Sequence, residues 1–337
     1  MTRRRVRVAV IGCGALAESA HIPNLLSLPN VEIGGICDNN PERLDETGRR
    51  FSIERRFLSH KELLDVLDVD AVVICTTADA HAEICIDSLN AGKDVFVEKP
   101  LALNLDDARR VLRTVEATGR VLQVGYQMRF LPNHAKTKEL MRTEIGKVYA
   151  ARIVADTLVI KVHETLLIDY MTHLFDLARW YFDDRQVARV GGMLYEENDV
   201  QVGASATISF EGGRLASVEA FWVPKWSWGS VQRRVEILGE GGKLITDVSG
   251  PTITLYKEAS TLSKMRNPRR FMSKVSMNQF VPITDIAYRS ELTDFFNCVA
   301  YRRKPVCDVR DGYMALLIAE AAKESHIRGK TVEINAP

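Results

Sequence analysis

Between Val6 and Tyr126 short apolar, β-branched runs alternate with helix-like segments, and this alternation restricts the possible folds more than any other feature of the chain. It is the pattern of a parallel, doubly wound sheet, because joining two parallel strands takes a crossover long enough to hold a helix. Strands are predicted over residues 6–11, 31–37, 71–76, 94–97 and 121–125. Each is apolar throughout rather than at every second residue, as strands covered on both faces are. Pro41 and Gly92 fall where the intervening helices should start and stop.

After about residue 148 the texture changes. Val202, Ala204, Ala206, Ile208 and Phe210 alternate with polar or small residues, and similar runs follow over 214–222, 231–238 and 243–247. Turns are expected at Gly212-Gly213 and over 239–242. This is the pattern of a half-exposed antiparallel sheet. Helical patterns cover 166–181, 288–301 and 312–326. Residues 258–284 have little periodicity and carry Lys264, Arg266, Arg269, Arg270 and Lys274, which predicts a solvated loop, with an anion site as the alternative.

At 337 residues the chain exceeds a single core, so two domains are expected, over 1–126 and 127–337. The expected class is α/β, with an N-terminal doubly wound parallel sheet and a C-terminal α/β domain built on a large, mostly antiparallel open sheet.

With 45 Lys plus Arg against 44 Asp plus Glu, nucleic acid is not an expected partner. The basic start, Met1 to Arg5, leads into an apolar run that ends at Gly12, too soon for a signal peptide. No apolar run approaches the roughly 18 residues of a membrane span, so neither membrane nor export is expected and a cytoplasmic location follows by default. Six cysteines lie in apolar segments without a CxxC pair, which predicts buried free thiols and no metal site.

Gly12-x-Gly14-x-x-Ala17 follows the first predicted strand and opens a helix, the context a dinucleotide-binding turn requires. Gly12 suits the tight turn, Gly14 lets a pyrophosphate approach the backbone, and Ala17 allows close helix packing. The helix start at Ala15 and Leu16 offers unpaired N–H groups to the phosphates. Asp38, at the end of the second strand, is placed to accept hydrogen bonds from a ribose diol, with a turn or cap role as the alternative. A carboxylate there repels a 2′-phosphate and favours NAD over NADP, a preference that nearby Arg43 weakens.

Lys99 stands at the carboxyl end of the strand 94–97, within Glu98-Lys99-Pro100, where open α/β sheets bind ligands. Pro100 holds the turn and is open to a cis bond. The other reading is a surface turn with Glu98 as the ion-pair partner. Asp169 and His173 stand four apart in a helical pattern and share a face. A histidine titrates near neutral pH, and a carboxylate one turn away can orient it. His21 and His81 follow predicted strands, where helix-start structural roles compete with cofactor contact.

The dinucleotide turn, Glu98-Lys99-Pro100-Leu101, the stretch 124–130, Ile145-Gly146-Lys147-Val148, the Asp169-x-x-x-His173 pair and the ending from Asp311 to Ile334 together resemble the glucose-fructose oxidoreductase / inositol dehydrogenase / MocA (Gfo/Idh/MocA) family. The resemblance spans nearly the whole chain. It implies a Rossmann domain, a second α/β domain whose sheet builds dimers or tetramers, and hydride transfer between a nicotinamide cofactor and a carbinol carbon of a sugar, sugar derivative or cyclitol. Lys99 would hydrogen-bond the reacting oxygen, His173 would take the proton, and Asp169 would orient His173 or the substrate. Cofactor contacts are expected from the glycine turn, Asp38, Thr76, Thr77, His81, Glu98 and Lys99. Arg129 is expected at the substrate, with a structural ion pair as the alternative.

Two departures from the family fall near these contacts. Residues 161–167 replace a glycine-rich segment, which makes His163 and Glu164 candidate substrate contacts, with an inert loop as the alternative, and Thr76-Thr77-Ala78 lacks the usual proline. Trp222, Trp226 and Trp228 suit sheet packing and an interface better than sugar stacking. Two rival functions remain open: a nicotinamide-binding regulator without turnover, and an enzyme for phosphorylated or nucleotide-linked sugars that uses the basic segment.

Overall fold

The computed structural model describes residues 5–157, 165–197, 200–222, 233–247, 252–258, 272–278 and 283–334. The chain forms two compact units. The first comprises Met1–Phe130 and Thr284–Leu316; the second comprises Leu131–Ile283 and Leu317–Pro337.

In the first unit β1 (Val6–Ile11), β2 (Val31–Cys37), β3 (Arg56–Phe57), β4 (Ala71–Ile74), β5 (Asp94–Glu98) and β6 (Leu122–Gly125) form a parallel sheet in the order β3-β2-β1-β4-β5-β6. The order reverses between β1 and β4, so their carboxyl ends open a crevice at the switch point. The crossover helices are α1 (Ile22–Ser27), α2 (Pro41–Arg50), α3 (His60–Val66), α4 (Ala78–Asn90) and α5 (Leu105–Thr118). A wider π-helical turn, Ala17–His21, precedes α1. Local chemistry sets the helix ends: Asn40 caps α2 by accepting from the Arg43 N–H, with Pro41 behind it, and α5 stops at Gly119, whose φ is +63°.

The return of residues 284–316 to this unit differs from a boundary at residue 126. Leu292, Phe295, Phe296, Cys298 and Val299 of α8 (Ile283–Tyr301) are buried in one core with Val8 and Val10 of β1 and Phe96 of β5. Phe295 meets Phe96 edge-on at 5.9 Å between ring centroids. A sheet apolar on both faces needs cover on both, and the chain supplies part of it late.

The second unit holds a nine-stranded sheet: β7 (Val148–Thr157), β8 (Val187–Glu197), β9 (Val200–Phe210), β10 (Arg214–Trp222), β11 (Arg233–Gly239), β12 (Gly242–Asp247), β13 (Thr252–Glu258), β14 (Met272–Asn278) and β15 (Val332–Glu333). Its order is β14-β13-β12-β11-β7-β10-β9-β8-β15, antiparallel except where β10 runs parallel to β7. Alternate residues of β7 and β10 are buried; α6 (Pro132–Leu140) lies against β12 and β13, and α7 (Thr172–Tyr181) against β7 and β10. The other face stays open, with Tyr195, Phe221, Leu215 and Leu238 exposed. Tyr195, Gly203 and Phe221 stand in one cross-strand row, and the Phe221 ring lies so close to Gly203 that a Cβ there would meet it at 2.7 Å.

The expectation of a loop over 258–284 is corrected in part. Residues 272–278 form β14, paired along its length with β13. Ladder hydrogen bonds come from the backbone, so an edge strand can form without a clear side-chain period. Lys264, Arg266, Arg269, Arg270, Trp226, Trp228, His163 and Glu164 lie outside the described residues. The last helix, α9 (Val309–Arg328), runs from the first unit into the second. No helix among the described residues is long and apolar enough to cross a membrane.

Candidate functional site

The dinucleotide turn lies at the end of β1. Gly12 has φ +96°, and a Cβ there would come within 2.6 Å of the Cys75 carbonyl carbon and 2.7 Å of the Thr76 nitrogen, so two strand ends meet across it. Gly14 is different: its φ is ordinary and a Cβ would meet nothing within 4 Å. The protein's own packing does not require glycine there, whereas a ligand lying on the backbone would. Ala15 and Leu16, exposed and partly exposed, start the helix beside it, and Ala17 is buried against the sheet. A cradle that a Cβ would fill, at the switch point and at a helix start, fits a pyrophosphate.

Asp38 follows β2 and is tied down from three sides. Its Oδ2 accepts from the Cys13 N–H at 2.8 Å and its Oδ1 from the Asn40 N–H at 2.8 Å. Arg43 grips both oxygens, at 3.0 Å through Nε and 2.7 Å through Nη2. Burial alone would raise this carboxyl, but the Arg43 and backbone donors outweigh it and hold it below the usual carboxylate range. Arg43 is about half exposed, so its guanidinium can leave the carboxylate for another partner.

Thr76 and Thr77 stand partly exposed and exposed at the carboxyl end of β4. His81, open to cofactor contact or a structural role, is buried: Nδ1 lies 2.7 Å from the Pro100 carbonyl oxygen and Nε2 3.1 Å from that of Thr76. Burial pushes its titration down. It ties the end of β4 to the turn after β5. Lys99 is partly exposed on that turn, and its bond to Pro100 is cis.

Glu98 also faces inward. Its Oε1 is 2.7 Å from Nε2 of His21, and both side chains are buried. Burial works against a charged imidazole here, but Cys75 and Glu98 more than offset it and raise His21 well above the usual histidine range. Glu291 of α8 is fully buried beside them, and neither of its carboxyl oxygens has a hydrogen-bond partner among the described residues. Burial first, and the charge of Glu98 second, push its titration well above the usual carboxylate range, while His21 pulls the other way. The folded protein therefore keeps this proton at pH values where the unfolded chain, titrating at about 4.3, has released it. The resulting penalty is absent below that pH and grows as pH rises toward the folded value. Glu291→Gln is expected to raise Tm by a few degrees at pH 7–8 and by nothing near pH 4; a calorimetric difference independent of pH would show that Glu291 is charged in the fold.

Arg129, expected at the substrate or in a structural ion pair, makes an ion pair inside the first unit. Its guanidinium is fully buried, donating to the Val306 carbonyl at 2.9 Å and pairing with Asp311 at 3.2 Å, so it fastens the returning chain to the first unit.

In the second unit Asp169 lies in a π-helical turn, Leu167–Met171, that runs into α7, and His173 lies in the first turn of α7. Both are buried, at 7% and 5% exposure, on an apolar helix. The Tyr170 ring meets the His173 ring edge-on at 6.5 Å. Insertions of this kind in helices are frequent at functional sites, and burying two ionisable groups is costly without a purpose. Asp176 and Arg179 are buried on the same helix and escaped the sequence reading, as did the pairing of His21 with Glu98. No local signal links the latter two, which stand 77 residues apart.

Among the described residues one grouping, His60, Glu83 and Asp87, brings ligand atoms close enough for a metal, but Lys61 Nζ already lies 3.2 Å from Glu83 and 3.7 Å from Asp87.

Residues 6–126 match the family model for the NAD-binding Rossmann fold of the Gfo/Idh/MocA oxidoreductases, and residues 163–334 match that for their C-terminal alpha/beta domain. The chain is 28% identical to myo-inositol 2-dehydrogenase of Thermotoga maritima, with 98% of each covered. It is also 28% identical to scyllo-inositol 2-dehydrogenase (NAD(+)) of Bacillus subtilis, with 98% of this chain and 97% of that one covered. A levoglucosan dehydrogenase solved in complex with NADH has the same fold, with a TM-score of 0.87 at 22% identity over 99% of this chain and 100% of that one. With the glycine cradle, the buried Asp169 and His173 and both family models in agreement, the chain belongs to the Gfo/Idh/MocA oxidoreductase family.

Proposed function

We propose that this protein is an NAD-dependent dehydrogenase that oxidises a secondary hydroxyl of a sugar, sugar derivative or cyclitol, or reduces the matching ketone. The observation that carries the reading is Lys99, partly exposed at the carboxyl end of β5 in a sheet whose β1 end carries the glycine cradle. Two relatives that match along nearly the whole chain are inositol dehydrogenases by name, which supports the polyol class. The bound nicotinamide supplies the two-electron acceptor or donor. Gly12, Gly14 and the start of the following helix hold the pyrophosphate, and Asp38 receives the ribose hydroxyls. Lys99 donates a hydrogen bond to the reacting oxygen and stabilises negative charge there; His173 takes the proton, and Asp169 orients it.

NADH appearance across a panel of free sugars, inositols, sugar phosphates and nucleotide sugars tests this reading. Turnover of a polyol that Lys99→Ala abolishes supports it; silence across the panel despite tight NAD binding removes it in favour of a regulator.

Asp38→Ala is expected to weaken NAD by roughly tenfold or more, the worth of hydrogen bonds to a charged group, and NADP by less. Arg43, released from the carboxylate, can then face a 2′-phosphate. Calorimetry with both cofactors checks it, and equal losses would take Asp38 away from the ribose.

The open face of the second unit's sheet, with Tyr195, Phe221, Leu215 and Leu238 exposed, is proposed to meet a second copy of the chain as a homodimer or homotetramer. A monomer by sedimentation would remove that proposal.

A further inference from the structure

Two buried histidines hold the turn that carries Lys99. On one side His81 reaches the Pro100 carbonyl oxygen at 2.7 Å. On the other His21 acts through a carboxylate. Oε1 of Glu98 is 2.7 Å from His21, and Oε2 accepts from the Lys99 backbone N–H at 3.2 Å. Gly125, opposite Glu98 across the β5–β6 ladder, makes room for that carboxylate: a Cβ there would lie 3.1 Å from its carbon and Oε1 and 3.2 Å from Oε2. Glu98 is 6% exposed, and both of its oxygens are engaged inside the unit, by His21 and by the Lys99 N–H.

We propose that Glu98 is a positioning residue that acts on the substrate only through Lys99: gripped by His21 and seated against Gly125, its carboxylate holds the Lys99 N–H and so fixes the point from which the lysine side chain leaves the strand. The proposal rests on the reading of Lys99 as the group that meets the reacting oxygen. The chemistry requires such an anchor. A lysine side chain has four flexible carbons, and its reach is defined only if its root is. A displacement of about 1 Å at a reacting group can cost about a hundredfold in rate.

Glu98→Gln and Gly125→Ala test it beside Lys99→Ala. Glutamine keeps the shape but has one acceptor oxygen, so its amide nitrogen must face either His21 or the Lys99 N–H. Alanine at 125 keeps every charge and displaces the carboxylate. In Glu98→Gln hydrogen exchange at the Lys99 amide should speed up by about tenfold, the worth of one hydrogen bond. The kcat for the polyol substrate should fall about 10- to 100-fold, while KM and the calorimetric Kd for NAD stay within about twofold. Gly125→Ala should show the same split at smaller size, and it carries the test if Glu98→Gln does not fold. Unchanged exchange at Lys99 in both variants, or an unchanged kcat, would overturn the proposal. So would a tenfold or greater loss of NAD affinity, which would make Glu98 a cofactor ligand. Should Lys99→Ala itself turn over normally, the reading of Lys99 falls; should it be impaired while Glu98→Gln and Gly125→Ala are normal, only the positioning role falls.

Discussion

Lys99→Ala and His173→Ala each lower turnover by about two to four powers of ten, the range for lost acid-base help, while leaving a folded protein that binds NAD. Alcohol oxidation removes a proton from oxygen as a hydride leaves carbon, and without a donor to the developing alkoxide and an acceptor for the proton the charge must be carried by water. Lys99 is partly exposed, so its removal opens no cavity. His173 is buried, and its loss costs about 1–3 kcal/mol, which a fold stable by about 5–15 kcal/mol survives. Circular dichroism and calorimetry with NAD establish folding and binding, and steady-state NADH formation reads the rate. Turnover near that of the wild type in either variant would remove that residue from the chemistry.

Gly12→Ala and Gly14→Ala should behave in opposite ways although the two glycines belong to one motif. At Gly12 a Cβ meets the backbone of Cys75 and Thr76 at 2.6–2.7 Å, and φ is +96°. Neither contact is relieved by rotating a side chain. The strained backbone and the overpacking together cost about 2–6 kcal/mol, enough to lower Tm by on the order of ten degrees and to spread the ends of β1 and β4 where the cofactor binds. Gly14→Ala meets nothing within 4 Å, so its Tm should hold while NAD affinity falls, because the new methyl occupies the space a pyrophosphate would take. A Gly14→Ala protein that binds NAD like the wild type would remove the cradle assigned here.

The sequence made some of this legible and hid the rest for identifiable reasons. Val6–Ile11 and Val31–Cys37 have the predicted boundaries, because each apolar run and the turn residues that bound it lie next to one another in the sequence. Arg214–Trp222 was equally legible from its alternation. Val148–Thr157, Val187–Glu197 and Thr252–Glu258 escaped, and the two-residue β3 is too short to carry any period. At the site, Gly12 and Asp38 were legible since local spacing encodes a strand-turn-helix. The inward turn of Glu98, His81 and Arg129 was not, because their partners His21, Pro100, Val306 and Asp311 are distant in sequence or lie in the returning segment.

That return gives the chain a timetable during synthesis. The first unit's sheet is complete by residue 125, yet the core that contains Val8, Val10 and Phe96 also needs Leu292 to Val299 of α8. At roughly 5–20 residues per second, the ribosome takes on the order of ten seconds or more to deliver them. Throughout that interval part of an apolar face of the nascent Rossmann sheet, the part that Leu292 to Val299 later covers, is exposed, and the second unit can gather its strands before the first has closed. A nascent chain of this protein thus exposes, at the end that was made first, apolar surface of the kind for which chaperones exist.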